Sequence, residues 1–328
     1  FFSFNIKEIA NFLKIIYKLI LKNKKIIIHS HHLKSLILNY ILKIISLLFK
    51  KNKLLFSYHT FHCELIRYSK FKKILIYQTK FLIDKYSCVS SNIKVNWEYF
   101  LKKEVTFFPI GITKKEKNLI YKKSIFKNKK ENYLNKKDKI LNIVWIGRFE
   151  KVKNPLLLLK ALGKLNISKD YKLKVIFVGN GKLLPVFKKE LSSFYNLNLT
   201  NIEINYLGLQ EREKVLNIIS YTNLYINTSF SESFCVAANE FLNNPFCKLI
   251  MPDTENIKEI YKCERVEFYK VNNAISLSKA ITINVNNFFE NNFLKHANTF
   301  PREFDNYNLE ATAKNLYNDY LATINNYR

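Results

Sequence analysis

Residues 140–162 read ILNIVWIGRFEKVKNPLLLLKAL. Asn142–Ile146 is a continuous apolar run that stops at Gly147. A polar turn follows, and Pro155 stands in the first turn of a helix that the spacing predicts to Leu165, where its missing amide costs nothing. An apolar strand, a glycine turn and a helix make one half of a βαβ unit, and a strand without polar alternation is one buried on both faces of a parallel sheet. The unit repeats outward. Downstream, predicted strands are Leu173–Val178, ending at Gly179-Asn180-Gly181, Ile202–Leu207, ending at Gly208, Leu224–Thr228, leading into a helix over Phe234–Leu242, and Cys247–Met251. Upstream, they are Ile26–Ile28 before a helix from Leu33, Lys53–Tyr58 before a loop over His59–Glu64, Tyr86–Val89 before capping serines 90 and 91, and Val105–Pro109 before Gly111.

The pattern therefore occurs twice, and the fold class is α/β with two Rossmann-like domains. FKNKKENYLNKKDK, residues 126–139, is polar and charged and reads as the linker. The expected organisation is a first domain over 1–125, a second over 140–302, and a terminal helix over 303–328. In that helix an apolar stripe at Leu309, Ala313, Leu316, Tyr317, Tyr320 and Leu321 needs a partner, expected in the first domain. The chain has only six glycines, and five of them (111, 147, 179, 181 and 208) fall at predicted strand ends. Ligands of parallel sheets bind at the carboxyl ends of strands, so the scarce glycines mark the expected edge of a site.

Two segments there carry chemistry. In Gly147-Arg148-Phe149-Glu150-Lys151-Val152-Lys153-Asn154, two cations five residues apart precede a helix, an arrangement suited to a phosphate. In Ser229-Phe230-Ser231-Glu232-Ser233-Phe234-Cys235, followed by Val236-Ala237-Ala238-Asn239-Glu240, a strand enters a helix with one carboxylate at the entry and another about two turns on. Amides after Glu232, at Phe234 and Cys235, suit a phosphate, and a carboxylate at Glu240 suits a ribose diol.

On these residues the chain resembles the retaining glycosyltransferases of family 4, enzymes of GT-B architecture. The resemblance covers nearly the whole chain: His29-Ser30-His31, His59-Thr60, Val89-Ser90-Ser91, Phe108-Pro109-Ile110-Gly111-Ile112, Gly147-Arg148 with Lys153-Asn154, Val178-Gly179-Asn180-Gly181, and the pair Glu232 and Glu240. It implies two domains facing a cleft and sugar transfer, with retention, from a nucleotide-diphosphate donor to a hydroxyl of a glycan or lipid-linked acceptor, as in surface polysaccharide or glycolipid synthesis. It implies Arg148 and Lys153 on the diphosphate, Glu240 on the ribose, Glu232 on the donor sugar and His59 as the catalytic-loop histidine. Gly147, Gly179 and Gly181 would line the donor cleft. No metal or other cofactor is implied, and the chain contains no Asp-x-Asp. Four positions depart from the family: Ser233 and Cys235 replace glycines of the first motif, Phe241 replaces the alanine after the second glutamate, and Asn244 replaces a later glycine. The family's opening strand and glycine-rich loop have no counterpart before Ile26, so the chain reads either as truncated at its start or as lacking part of its acceptor domain. Alternatives are a nucleotide-sugar epimerase on the same fold, and a partner-dependent or inactive protein.

Charge adds a partner. The whole chain carries +28, and residues 1–125 hold +19 of it against +5 for 140–328. That asymmetry suits an anionic membrane surface met by the first domain, through Lys-bearing stretches at Asn11–Lys25 and Leu33–Lys51. The stretch Leu33–Phe49 contains Lys34 and Lys43 and is too short to span. The aromatics lie in apolar strand and helix patterns, which argues against nucleic acid. Five scattered cysteines with no C-x-x-C fit a reducing compartment. The expected location is the cytoplasm, with peripheral attachment to the inner face of the plasma membrane. His29, His31, His32 and His62 have spacing that suggests a metal, but no acid or cysteine cluster completes it beyond Cys63 and Glu64 in the same loop.

Overall fold

The computed structural model describes residues 11, 14–16, 18, 25–48, 55–62, 65, 68–131, 140–197, 199–290 and 308–326. They form two compact units: the residues up to Pro109 together with those from Ala311 onward, and Ile110–Glu310.

In the first unit four parallel strands, β1 (Ile26–Ser30), β2 (Leu55–Phe61), β3 (Lys85–Cys88) and β4 (Val105–Phe107), lie in chain order. They are joined by α1 (Leu33–Leu48), α2 (Lys70–Thr79) and α3 (Ser91–Leu101). Sequential right-handed crossovers place all three helices on one face of the sheet. Ser69 and Ser90 cap α2 and α3 by accepting from the amides of Lys72 and Ile93. The interior is aromatic: Phe61 stacks on Trp97 at 3.7 Å and on Tyr86 at 5.5 Å. Lys43 of α1 is buried, with Nζ 2.8 Å from Asp84 Oδ2 and 2.5 Å from the Leu55 carbonyl. It is therefore a core residue and not one of the outward-facing lysines expected of this segment. Most of Asn11–Lys25 lies outside the described residues. The last helix, α11 (Leu309–Asn326), supplies its residues from Ala311 onward to this unit. Tyr320 meets Tyr58 edge-on at 5.0 Å, Lys85 Nζ lies 2.5 Å from Asp319 Oδ1, and Lys25 Nζ donates to the Ile324 carbonyl at 2.8 Å.

In the second unit six parallel strands run in the order β10-β9-β8-β5-β6-β7. They are β5 (Ile140–Ile146), β6 (Lys172–Val178), β7 (Ile202–Tyr206), β8 (Leu224–Ile226), β9 (Lys248–Pro252) and β10 (Val266–Tyr269). The chain moves outward from β5 to β7, then returns to the other side of β5 with β8. This reversal is a topological switch point, where the loops after β5 and β8 diverge and leave a crevice. One face of the sheet packs under α5 (Pro155–Leu162), α6 (Leu184–Tyr195) and α10 (Ala274–Phe289), around Trp145, Phe149, Phe177 and Phe187. The other packs under α4 (Lys114–Glu131), α7 (Arg212–Ser220), α8 (Val236–Leu242) and α9 (Glu255–Ile260), around Tyr225, Phe241 and Met251.

Helix α4 corrects the expected domain boundary. The first unit ends at Pro109 rather than at 125, and residues 126–131, read as linker, are the last turns of α4. Ile120 and Ser124, four apart, are buried, while Lys127 Nζ donates to the Tyr221 carbonyl at 3.0 Å. The many lysines of this helix hid a narrow buried stripe beneath a solvated face. Residues 132–139, and 291–307 within the predicted 140–302 domain and 303–328 helix, lie outside the described residues.

Candidate functional site

The loops after β5 and β8 meet at the switch point. The amide of Phe230 donates to the Val152 carbonyl at 2.9 Å, and Thr228 Oγ1 donates to the Lys153 carbonyl at 2.7 Å. These bonds bring two predicted site residues together: Lys153 Nζ is ion-paired with Glu232 Oε1. The same oxygen accepts from Ser229 Oγ at 2.8 Å and Asn227 Nδ2 at 3.3 Å. Glu232 is thus an oriented carboxylate with a cation beside it.

The glycine turns bring the neighbouring loops close. Gly147 N donates to Val178 O at 3.0 Å and Phe149 N to Asn180 O at 2.9 Å. Gly179 has φ +130°, and a Cβ there would fall 1.9 Å from the Gly147 carbonyl oxygen. Gly181, at φ +155°, would bring one within 2.6 Å of Phe149 O. These two positions exclude side chains on grounds of space and backbone together.

Arg148 does not join Lys153 and Glu232. Its side chain is 68% exposed and its Nη1 lies 3.2 Å from Glu150 Oε2 in its own turn. Phe234 and Cys235 are buried. Cys235 replaces a family glycine without entering the loop, because its sulfur faces the core, where Asn227 Nδ2 donates to it at 2.9 Å. Burial pushes its thiol up to about 12, so it is no nucleophile at neutral pH. Asn244 likewise replaces a glycine where no left-handed backbone is needed. Its side chain donates to the carbonyls of Ile219 and Thr222 at 2.8 and 2.9 Å, tying α7 to the end of α8.

Glu240 lies almost buried on α8, in contact with a residue that the motifs did not mark. Arg212 Nη1 is 2.7 Å from Glu240 Oε1, and Arg212 Nε donates to Glu116 Oε1 at 2.7 Å. Glu116 Oε2 accepts from the amide and hydroxyl of Thr113 at 3.2 and 3.0 Å. Burial raises the Glu240 pKa and Arg212 opposes the shift. The scarcity of arginine, six in the chain, was the available signal for Arg212.

In the first unit, His59 is not a loop residue. β2 runs three residues beyond its predicted end, and alternation turns His59 to the helix-covered face. It is 2% exposed, lies against Phe61 at 4.6 Å, and its Nδ1 is 2.9 Å from Ser30 Oγ. No face of it is open to a substrate. The histidines that stand just past the strand ends are His31, after β1, and His62, after β2, with His31 Nδ1 3.0 Å from His62 Nε2. His29 stacks on His31 at 4.2 Å and its Nε2 is 2.5 Å from Thr60 Oγ1. Burial, then the neighbouring imidazoles, lower His29 to about 3 and His62 to about 4, so both are neutral at neutral pH. Among the described residues no three His, Cys, Asp or Glu are placed to hold a metal ion; Cys63 and Glu64 lie outside them.

The chain resembles solved structures at low identity. It is similar to Anabaena HepE in complex with UDP (TM-score 0.73, 12% identity, 94% of this chain and 81% of that one). It is similar to a glycosyltransferase from Rickettsia africae (0.71, 18%, 98% and 83%) and to sucrose-phosphate synthase from Thermosynechococcus elongatus (0.66, 16%, 90% and 74%). No curated sequence matches the chain. Its two parallel-sheet units have the GT-B fold. The family profile described as "Glycosyl transferases group 1" matches residues 124–292, just over half of the chain and most of the second unit, and the chain belongs to that family.

Proposed function

We propose that this protein transfers a hexosyl group, with retention, from a nucleotide-diphosphate sugar to a hydroxyl of a glycan or lipid-linked acceptor, without a metal. The observation that carries the reading is the pairing of Lys153 and Glu232 across the two loops of the switch point. A diphosphate set beside Lys153 meets a fixed positive charge, so charge developing on the leaving group is stabilised without a metal ion. Glu232, aligned by Ser229 and Asn227, then accepts hydrogen bonds from hydroxyls of the donor sugar. Arg148, on the same loop and exposed, reaches the diphosphate by a change of rotamer. Structures of HepE with UDP and with UDP-glucose make uridine donors the first to try. In the first unit His62 takes the acceptor-side role that the motif reading gave to His59. It stands just past the end of β2, whereas His59 is buried inside the sheet.

The test is to incubate the protein with UDP-glucose, ADP-glucose and GDP-mannose, each beside an alkyl glucoside that offers acceptor hydroxyls, and follow the anomeric signal of the product by proton NMR. An axial donor giving an axial product supports the reading; an inverted product, or a new sugar with the nucleotide still attached, contradicts it. Glu240→Ala should weaken binding of the preferred donor about ten- to a hundredfold, the value of a hydrogen bond to a charged acceptor, as read by calorimetry.

We also infer that the first unit rests on an anionic membrane from the cytoplasmic side. Phe71, Phe81 and Tyr99 are 70%, 68% and 76% exposed on or beside α2 and α3. Lys70, Lys72 and Lys102 lie among them, and α1–α3 together contain one acid, Glu98. No helix among the described residues is long and apolar enough to cross a membrane. Each lysine near an anionic surface contributes on the order of 1 kcal/mol. Binding to vesicles rich in phosphatidylglycerol should fall steeply with added salt and be absent on phosphatidylcholine. Equal binding to both, or none at low salt, would return these lysines to ordinary solvation.

A further inference from the structure

We propose that Arg212 is a positioning residue for the donor site: clamped by Glu116, it holds the Glu240 carboxylate in place to receive the donor ribose. The proposal rests on the reading of Glu240 given above. Its basis is a chain of contacts that runs from α4 through α7 to α8. Thr113 fixes one oxygen of Glu116, and the other oxygen takes Arg212 Nε at 2.7 Å. With Nε held, the planar guanidinium cannot turn about its stem, and Nη1 is left 2.7 Å from Glu240 Oε1. Arg212 is the only charged or hydrogen-bonding side chain that meets Glu240 among the described residues. A carboxylate has two oxygens and about four acceptor positions, so a single arginine contact leaves room for both hydroxyls of a vicinal diol.

The arrangement also governs charge. A carboxyl this buried is pushed towards its neutral form, and the neutral form can accept fewer hydrogen bonds from a diol. The charged groups that act on it are Arg212 from α7, which favours the ionised form, and Glu116 from α4, which opposes it. Glu116 is itself held low by its bond to Arg212. Without Arg212 the Glu240 pKa rises further. The carboxylate, present above that pKa, is then lost as pH falls through it, at a higher pH than in the native protein.

The full chain is titrated calorimetrically with UDP-glucose, ADP-glucose and GDP-mannose at pH 5.5, 7.0 and 8.5, and the tightest donor is carried forward with Arg212→Gln, Arg212→Lys, Glu116→Gln and Glu240→Ala. A nucleotide sugar has no phosphate group that titrates in this range, so a pH dependence belongs to the protein. Arg212→Gln should bind about tenfold more weakly at pH 5.5 and recover towards native affinity at pH 8.5. Glu116→Gln removes the charge opposing the ionised form of Glu240 while its amide oxygen can still take Arg212 Nε, so it should bind no more weakly than the native protein at pH 5.5. Arg212→Lys, which keeps the charge but lacks the planar fork, should fall between Arg212→Gln and the native protein. Native affinity of Arg212→Gln at every pH overturns the proposal, and so does a loss of equal size at every pH, which would make Arg212 a direct donor contact. Unchanged binding by Glu240→Ala overturns the ribose reading beneath it, as does failure of all three sugars to bind the native protein.

Discussion

Lys153→Ala is expected to reduce glycosyl transfer by about a hundred- to a thousandfold, the loss typical of removing one fixed group that stabilises developing charge. The residue stands where the loops after β5 and β8 converge, and no other described cation is paired with Glu232. The loss should appear in kcat as well as in kcat/KM, because the charge on the leaving diphosphate grows towards the transition state. The fold should survive. Ser229 and Asn227 still donate to Glu232, and the loop remains pinned through backbone bonds at Val152 and at the carbonyl of residue 153, which alanine retains. Lys153→Arg should recover part of the activity. Steady-state kinetics beside a thermal melt decide the matter: a variant that melts like the native protein and still transfers sugar at a tenth of its rate would remove Lys153 from the donor site.

Gly179→Ala is expected to destabilise the second unit by about 3–5 kcal/mol, in the range kept for severe backbone conflicts. Two costs coincide. A residue with a side chain disfavours φ +130°, and the added methyl would lie 1.9 Å from the Gly147 carbonyl oxygen, a backbone atom that can move only if β5 and β6 part. For a unit of about this size the melting temperature should drop on the order of 10 °C. Gly163→Ala is the matched control. Gly163 has φ −67° at the end of α5, and its added methyl would meet a flexible Leu197 side-chain carbon at 3.3 Å. It should change the melting temperature little. Similar melts for the two variants would mean that the turns are looser than this geometry requires.

The same two turns show why so much of the second unit was legible from sequence. Its central strands are buried on both faces, so they read as nearly unbroken apolar runs, and Gly179 and Gly181 after β6 admit no side chain. The loops that carry Lys153 and Glu232 follow directly from those strand ends. Legibility failed where tertiary packing overrode local pattern. His59 looked like a loop residue because polar neighbours follow Tyr58, yet Phe61 and Trp97 carry the strand past it and into the core. Residues 126–131 looked like a linker because the lysines of α4 outnumber the few side chains it buries. Lys43 fell within a stretch expected to face a membrane, but Asp84, forty-one residues away, pairs with it in the interior. The pairing of Arg212 was hidden for the same reason: its scarcity as an arginine marked the residue, but its two partners lie 96 residues before it and 28 after it, and no spacing rule connects them.

A crystal structure with the tightest of the three nucleotide sugars should show the diphosphate at the switch point of the second sheet, with a phosphate oxygen about 2.7–2.9 Å from Lys153 Nζ, a sugar hydroxyl on Glu232 and the ribose on Glu240. A nucleotide bound elsewhere, with Lys153 making no contact to phosphate, would contradict that placement.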